Sequence, residues 1–350
     1  MIRPVLYVDL PGIIYAIDRR ARSKQREFAN FICWQEPAEN TTTPPPILRN
    51  ILPVSPDTRT WICEDHWRIL GFAQVRERPS RTMWDITFLA SMVHRDVSGD
   101  EILTALLEYL LEMATVHGVL RIFAKVEEEK PEIGLFQRSG FQRYARELTY
   151  VYEPGQVPLP PEEPLLPSLR RWSRHYVWGL YQLYHAVTPH KVQMAELFEN
   201  SEALARYYTG TLHPLPSILS RGDENYICDV GVRIGAWLRL RRGHGSAPHR
   251  LCLMVHPEHT ELAEPLVRFG IRRLQGAGVH RIYCLVREYD SSVITALRNS
   301  GFEQVGIKDL LVRHMALLAM RQSTVPLLEQ RAVYGLKGLG TVNSRQKIMR

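Results

Sequence analysis

The sequence predicts an α+β protein made of one unit written twice. Each unit is a mixed, mostly antiparallel central sheet with flanking helices. Two observations carry this. The phrases "IGLFQRSGF" and "ITALRNSGF" end near Phe141 and Phe302, about 160 residues apart, and each follows a strand-like run opening on Gly-Val, "GVLRIFAKV" and "GVHRIYCLV". Between the copies lies "EPGQVPLPPEEPLLP", whose prolines cannot donate backbone hydrogen bonds and favour an extended spacer. The expected organisation is a first unit over 1–152, a linker over 153–166, a second unit over 167–317 and a basic tail over 318–350. A chain of 350 residues suits two domains better than one core.

The elements follow the same order in both halves. "RPVLYVDL" reads as a strand and "LPGIIYAIDRRARSKQREFANFI" as a helix. "TRTWICEDH", "WRILGFAQVRE" and "TMWDITFLASMVH" alternate as strands. "EILTALLEYLLEMATVHG" has Ile102, Leu106, Leu110 and Met113 at helical spacing, with Gly118 placed to end it. The strand "VLRIFAKV", a short helix and "ARELTYVYE" complete the unit. In the second half "LPSLRRWS" is a strand, "HYVWGLYQLYHAVT" and "MAELFENSEALARYY" are helices, and "NYICDVG", "IGAWLRLRR" and "RLCLMVH" are strands. "ELAEPLVRFGIRRLQG", "RIYCLV", "SSVITALRNS" and "LLVRHMALL" close it. "TTTPPP" at 41–46 is a surface loop.

Composition narrows the function. A 45% hydrophobic and 23% charged chain is that of a soluble globular protein. No apolar run is long enough to span a bilayer, and the N-terminus lacks the order of a signal peptide, so a cytoplasmic protein is expected. The five cysteines are scattered without a CxxC pair and the thirteen histidines make no HExxH, so neither a disulfide framework nor a metal site is expected. Of the net charge of +7, about five units sit in the tail after Leu317. The folded part is nearly balanced and shows no nucleic-acid signature.

The order β–α–β–β–β–α–β–α–β, with a helix ending in Ser-Gly-Phe before a last hairpin, resembles the GCN5-related N-acetyltransferase (GNAT) family. "MVHRDVSGDEILTALL" and "MVHPEHTELAEPLV" resemble that family's acetyl-CoA motif, in which a strand end, a glycine-rich turn and a helix start bind a pyrophosphate. The physics is anion binding by free amides and a partial positive charge at a helix N-terminus. The resemblance also implies a V-shaped opening between the fourth and fifth strands, an acetyl-CoA cosubstrate and a small-molecule or peptide amine acceptor. In the first copy it places Val93, His94, Ser98, Gly99, Asp100, Ile102 and Thr104 along the cofactor. Arg95 stands for a proline, and Glu101 and Leu103 stand for the second and third glycines. In the second copy Val255, Thr260 and Ala263 take these places, in a loop read as about two residues shorter.

Other readings of the same residues stay open. Ser98 and Glu101 have the spacing of a capping box, and Thr260 that of a helix cap. The family's tyrosine acid falls on Phe136 and Leu297, neither of which can donate a proton. Its asparagine falls near Glu129 and Asp290. Asp85 and Asp229 are the candidate bases, each also readable as an edge or turn residue. Cys284, His94 and His256 are further titratable groups, more simply read as core or solvated side chains. Two functions follow. One is an acyltransferase working from one half, with the first half keeping Gly99. The other is a non-catalytic tandem scaffold with decayed cofactor loops.

Overall fold

The computed structural model describes residues 1–9, 11, 57–66, 68–78, 82–92, 98–128, 130–155, 166, 168–209, 223–243, 248–275 and 281–315. The first predicted helix, the loop at 41–46, most of the linker and the basic tail lie outside these residues.

Twelve strands form one sheet, in the order β1-β2-β3-β4-β5-β12-β6-β11-β10-β9-β8-β7. The first half supplies β1 (Ile2–Pro4), β2 (Thr58–Asp65), β3 (Arg68–Glu77), β4 (Met83–Ser91), β5 (Arg121–Glu127) and β6 (Gln142–Tyr152). The second supplies β7 (Leu169–Arg171), β8 (Asp223–Asp229), β9 (Ile234–Arg241), β10 (His249–Val255), β11 (Ile282–Arg287) and β12 (Glu303–His314). Among the described residues, β4–β5 and β10–β11 are the parallel pairs and the other pairs are antiparallel.

The final strands are exchanged. β12 lies between β5 and β6, while β6 lies between β12 and β11. A closing hairpin within each half was expected. Instead each Ser-Gly-Phe leads into one long strand, and the two strands pair with each other, Leu148 opposite Ile307 and Glu147 opposite Lys308. The pairing skips Tyr144 in β6 and Val305 in β12. Each stands three residues after its Ser-Gly-Phe, so the two bulges are equivalent positions of the repeat.

The repeated phrase itself is a turn requirement. Helix α1 spans Gly99–Val116, and α2 (Glu132–Arg138) precedes Ser139. Gly140 has φ +81° and Gly301 has φ +85°, a left-handed conformation that glycine adopts without strain. The Phe141 amide bonds the Phe136 carbonyl, and the Phe302 amide bonds that of Leu297. Phe136 and Phe141 then meet edge to face at 5.1 Å.

On one face, α1 buries Ile102, Leu103, Leu106, Leu107, Leu110, Leu111 and Ala114 against the first-half strands. Leu311 of β12 joins this core, while Tyr150 and Tyr152 of β6 join the core of the second half. Each half is therefore packed partly with the other's side chains, at roughly 1.5–3 kcal/mol per fully buried large apolar residue. The second-half core is covered by α6 (Ala263–Gln275) and α7 (Ser291–Asn299).

The opposite face carries α3 (Val177–Val187), α4 (His190–Glu196) and α5 (Ser201–Thr209). "MAELFENSEALARYY" was expected to be one helix, but the chain breaks at Leu197, whose φ is +29°. Asn200 Oδ1 accepts from the Ala203 amide and starts α5 afresh. The break lets Val192 and Ala195 of α4 pack on Phe123, Tyr144 and Leu310, over strands belonging to both halves. Among the described residues no helix is long and apolar enough to cross a membrane.

Candidate functional site

Two V-shaped openings mark the sheet, one per half. In the first, β4 and β5 pair only at Met83–Arg121, Trp84–Ile122 and Asp85–Phe123. Beyond that apex the rest of β4, Ile86–Ser91, parts from β5. In the second, β10 and β11 pair only at His249–Ile282, Arg250–Tyr283 and Leu251–Cys284.

The openings differ in how they are made. Opposite β3, β4 carries an extra residue, Thr87, because Val75 faces Ile86 while Gln74 faces Phe88. Such a bulge bends and twists its strand. Thr87 Oγ1 donates to Gln74 Oε1 at 2.8 Å, and Gln74 Nε2 donates to Thr60 Oγ1 at 3.0 Å, so a buried polar string fixes the bulge across three strands. β10 pairs with β9 residue for residue from Arg250 to Val255, without a bulge.

The helix starts differ as well. The Met92 amide bonds the Leu70 carbonyl, and the His256 amide bonds that of Gly235 at the matching place. Six residues, 93–98 and 257–262, then lead to α1 at Gly99 and α6 at Ala263. The two "MVH" phrases are thus out of step by two, and the second loop is not shorter. Pairing with the neighbouring strand decides where a strand ends, and it places Met92 opposite His256 in the repeat.

At the first helix start, Ser98 makes no side-chain cap bond, so the capping box does not form. The first bond is Ile102 N–H to the Ser98 carbonyl at 3.3 Å. The amides of Gly99, Asp100 and Glu101 have no acceptor among the described residues. A Cβ on Gly99 would stand 3.0 Å from Ser91 Oγ, so glycine keeps the helix end close to the strand end. Ile102 points into the core, and the Thr104 hydroxyl donates to the Asp100 carbonyl at 2.7 Å. Val93 and His94 lie outside the described residues.

At the second, Pro257–Leu262 winds into a 3₁₀ turn. His256 Nδ1 accepts from the Glu258 amide at 3.2 Å, and Glu258 is held by Arg233 at 2.9 Å. Burial keeps the His256 pKa below its ordinary value, so the ring serves as a neutral cap. Thr260 is inside this turn and does not cap α6. Val255 and Ala263 are buried.

The two candidate bases separate clearly. Asp229 accepts from the Gly231 amide at 3.0 Å and is a turn residue. Asp85 stands at the apex of the first V. Arg78 Nη2 and Nε donate to its Oδ1 at 2.7 and 3.0 Å, and Oδ2 has no partner among the described residues. Phe136 and Leu297 are wholly buried. Glu129 lies outside the described residues. Asp290 is the N-cap of α7, and burial raises its pKa to about 7. Burial pushes the Cys284 thiol well up and keeps it protonated.

Sequence reading missed a buried polar seam running from this apex under α4 and α5. Lys125 Nζ donates to both Glu147 oxygens, at 3.0 and 2.9 Å. Burial opposes both charges, yet each partner outweighs it, raising the lysine pKa and lowering the glutamate pKa. Arg287 Nη2 donates to Glu196 Oε1 at 2.8 Å, and the Tyr184 hydroxyl donates to Oε2 at 2.8 Å. The available signal was a lysine alternating with Ile122, Ala124 and Val126, since those three face the α1 core and Lys125 must face the other way.

These features define the class: a mixed sheet with a splayed parallel pair and a helix start at its rim, the GNAT fold, made twice. Residues 26–141 match the model of the Acetyltransferase (GNAT) family. No curated protein gives a significant match. Among solved structures, a tandem GNAT protein from the clavulanic acid biosynthesis pathway is 14% identical, covering 90% of this chain and 98% of its own, with a TM-score of 0.58. A GCN5-related N-acetyltransferase from Sphaerobacter thermophilus is 13% identical, covering 90% and 95%, also at 0.58. Over 26–141 the chain is similar to the GNAT family, and as a whole it shares the fold of these tandem GNAT structures.

Proposed function

We propose that this protein is an acyl-CoA-dependent N-acyltransferase working from its first V alone, with acetyl-CoA as donor and a small-molecule or peptide amine as acceptor. The reading rests on one observation. Among the described residues, only the first V combines a bulged, splayed strand with a helix start whose first amides, Gly99–Glu101, have no acceptor. A pyrophosphate fits the free N–H groups of Gly99–Glu101. The exposed carboxylates of Asp100 and Glu101 oppose it, which predicts modest affinity. When bound, the thioester supplies an electrophilic carbonyl carbon.

Asp85 Oδ2 is positioned to take the ammonium proton, with Arg78 fixing the carboxylate. The freed amine attacks the carbonyl; the C–N bond forms, the C–S bond breaks, and the second proton shed by the nitrogen passes through water to the departing thiolate, since Phe136 offers no proton. The experiment is thermal denaturation with millimolar acetyl-CoA, because a ligand of the native state raises the melting temperature. A shift that Gly99→Glu abolishes supports the reading; no shift rejects it. The crowding of Asp100 and Glu101 at the phosphate end favours a second reading, a tandem scaffold without catalysis, and the absence of a shift would favour that one.

A further inference from the structure

We propose that the acceptor is a zwitterion, an amine that also carries a carboxylate, seated at the apex of the first V between Asp85 and Arg78 and roofed by Tyr207 of the second half. This rests on the acyltransferase reading of the same V.

Three unspent polar groups meet at the apex. Arg78 has a side chain only 5% exposed. Two of its nitrogens are committed to Asp85 Oδ1, but Nη1 is buried with no partner. Its guanidinium carbon lies 3.5 Å above the Phe123 ring, at the last paired residue of β5, and 5.1 Å from the Tyr207 ring of α5. The guanidinium is therefore held between a first-half phenyl and a second-half phenol. Asp85 Oδ2 and the Tyr207 hydroxyl are also without partners among the described residues. Buried guanidinium N–H groups are rarely left unpaired, because their desolvation is uncompensated. Other arginines, Arg287 among them, also leave a buried guanidinium nitrogen without a partner, but this one stands beside Asp85 at the apex of the V, where a group that arrives with the substrate can supply the acceptor.

The arrangement selects a chemical class. A carboxylate would accept from Arg78 Nη1 and the Tyr207 hydroxyl, and an ammonium beside it would donate to Asp85 Oδ2. Arg78 and Asp85 cancel in charge, as do the neighbouring Lys125–Glu147 and Arg287–Glu196 pairs. A bare alkylammonium would add an uncompensated buried charge, and so would a simple anion. A zwitterion adds none. The roof also gives the second half a role in catalysis: it completes the acceptor side of the first V.

The test uses the full chain and paired acceptors, each amino acid against its decarboxylated amine: leucine and isopentylamine, phenylalanine and phenethylamine, lysine and cadaverine. Thiol release from acetyl-CoA gives kcat/KM. The expected preference is about a hundredfold or more for the carboxylate-bearing member, since the bare amine leaves buried donors unpaired. Tyr207→Phe, which removes only the hydroxyl, should shrink that preference about tenfold through KM, while the melting shift with acetyl-CoA stays as it was. Equal or inverted preference, no turnover of any carboxylate-bearing member, or an unchanged preference in Tyr207→Phe overturns the proposal. Loss of the acetyl-CoA shift in the unmodified protein rejects the underlying reading with it; a normal shift with a preference for bare amines rejects only this one.

Discussion

The first and second V begin alike, each with three parallel pairs, and diverge within a few residues. In the first, Thr87 is an extra residue and the amides of Gly99–Glu101 have no acceptor among the described residues. In the second, the strand runs regularly and the same six-residue connection coils into a 3₁₀ turn capped by His256. Two copies that keep the same packing thus differ both in the course of the strand and in the winding of the connection to the helix. The second half did not become idle. It supplies β12 and Leu311 to the first half's core, packs Val192 and Ala195 of α4 against Met83 and Phe123, and brings Tyr207 of α5 to Arg78.

The largest expected effect tests whether the halves are separable. Residues 1–155 and 156–350 expressed apart should each fail to give a cooperative thermal transition, because β6 loses both neighbours in one piece and β12 loses both in the other. Co-expression should restore one. A cooperative melt of either piece alone would break the comparison, since it would make the exchange incidental.

Next is the contrast of the two aspartates. Asp85→Asn should lower kcat by about 10²–10⁴-fold, whereas Asp229→Asn should stay within about twofold. A larger effect at Asp229 would move the chemistry to the second half.

Asp290 sharpens the comparison through pH. Its pKa of about 7, raised by burial, means that the folded chain holds a proton the unfolded chain has already lost from about pH 4 upward. Stability should therefore fall as pH rises from about 4 to 7 and level off above. Asp290→Asn should raise Tm by about 5 °C at pH 8 and progressively less toward pH 4. The smallest effect is electrostatic. Glu101→Gln should tighten acetyl-CoA binding about two- to fivefold, and Glu261→Gln, in the second copy's turn, should leave it unchanged.

Much of the element order could be read from the sequence, because helical and strand periodicities report which face is buried. The exchange of β6 and β12 could not. Alternation fixes a strand's faces but not its neighbours, and "ARELTYVYE" reads the same beside either half. The mismatch of the two "MVH" phrases arose because identical letters sit at different distances from the strand end; the extra residue at Thr87 accounts for one step and a longer run along the neighbouring strand for the other. Asp85 and Asp229 were indistinguishable as letters. Only the register at Phe123 and the turn at Gly231 separate them. Arg78 and Tyr207 were not found because they come from opposite halves and meet only through the break at Leu197.

The most direct test of the central claim, one working V per chain, is titration calorimetry of acetyl-CoA into the full-length protein. The account predicts a single site, lost in Gly99→Glu and retained in Glu258→Gln, which loosens the turn in the second V. Two sites per chain, or a single site that survives Gly99→Glu and is lost with Glu258→Gln, would contradict it.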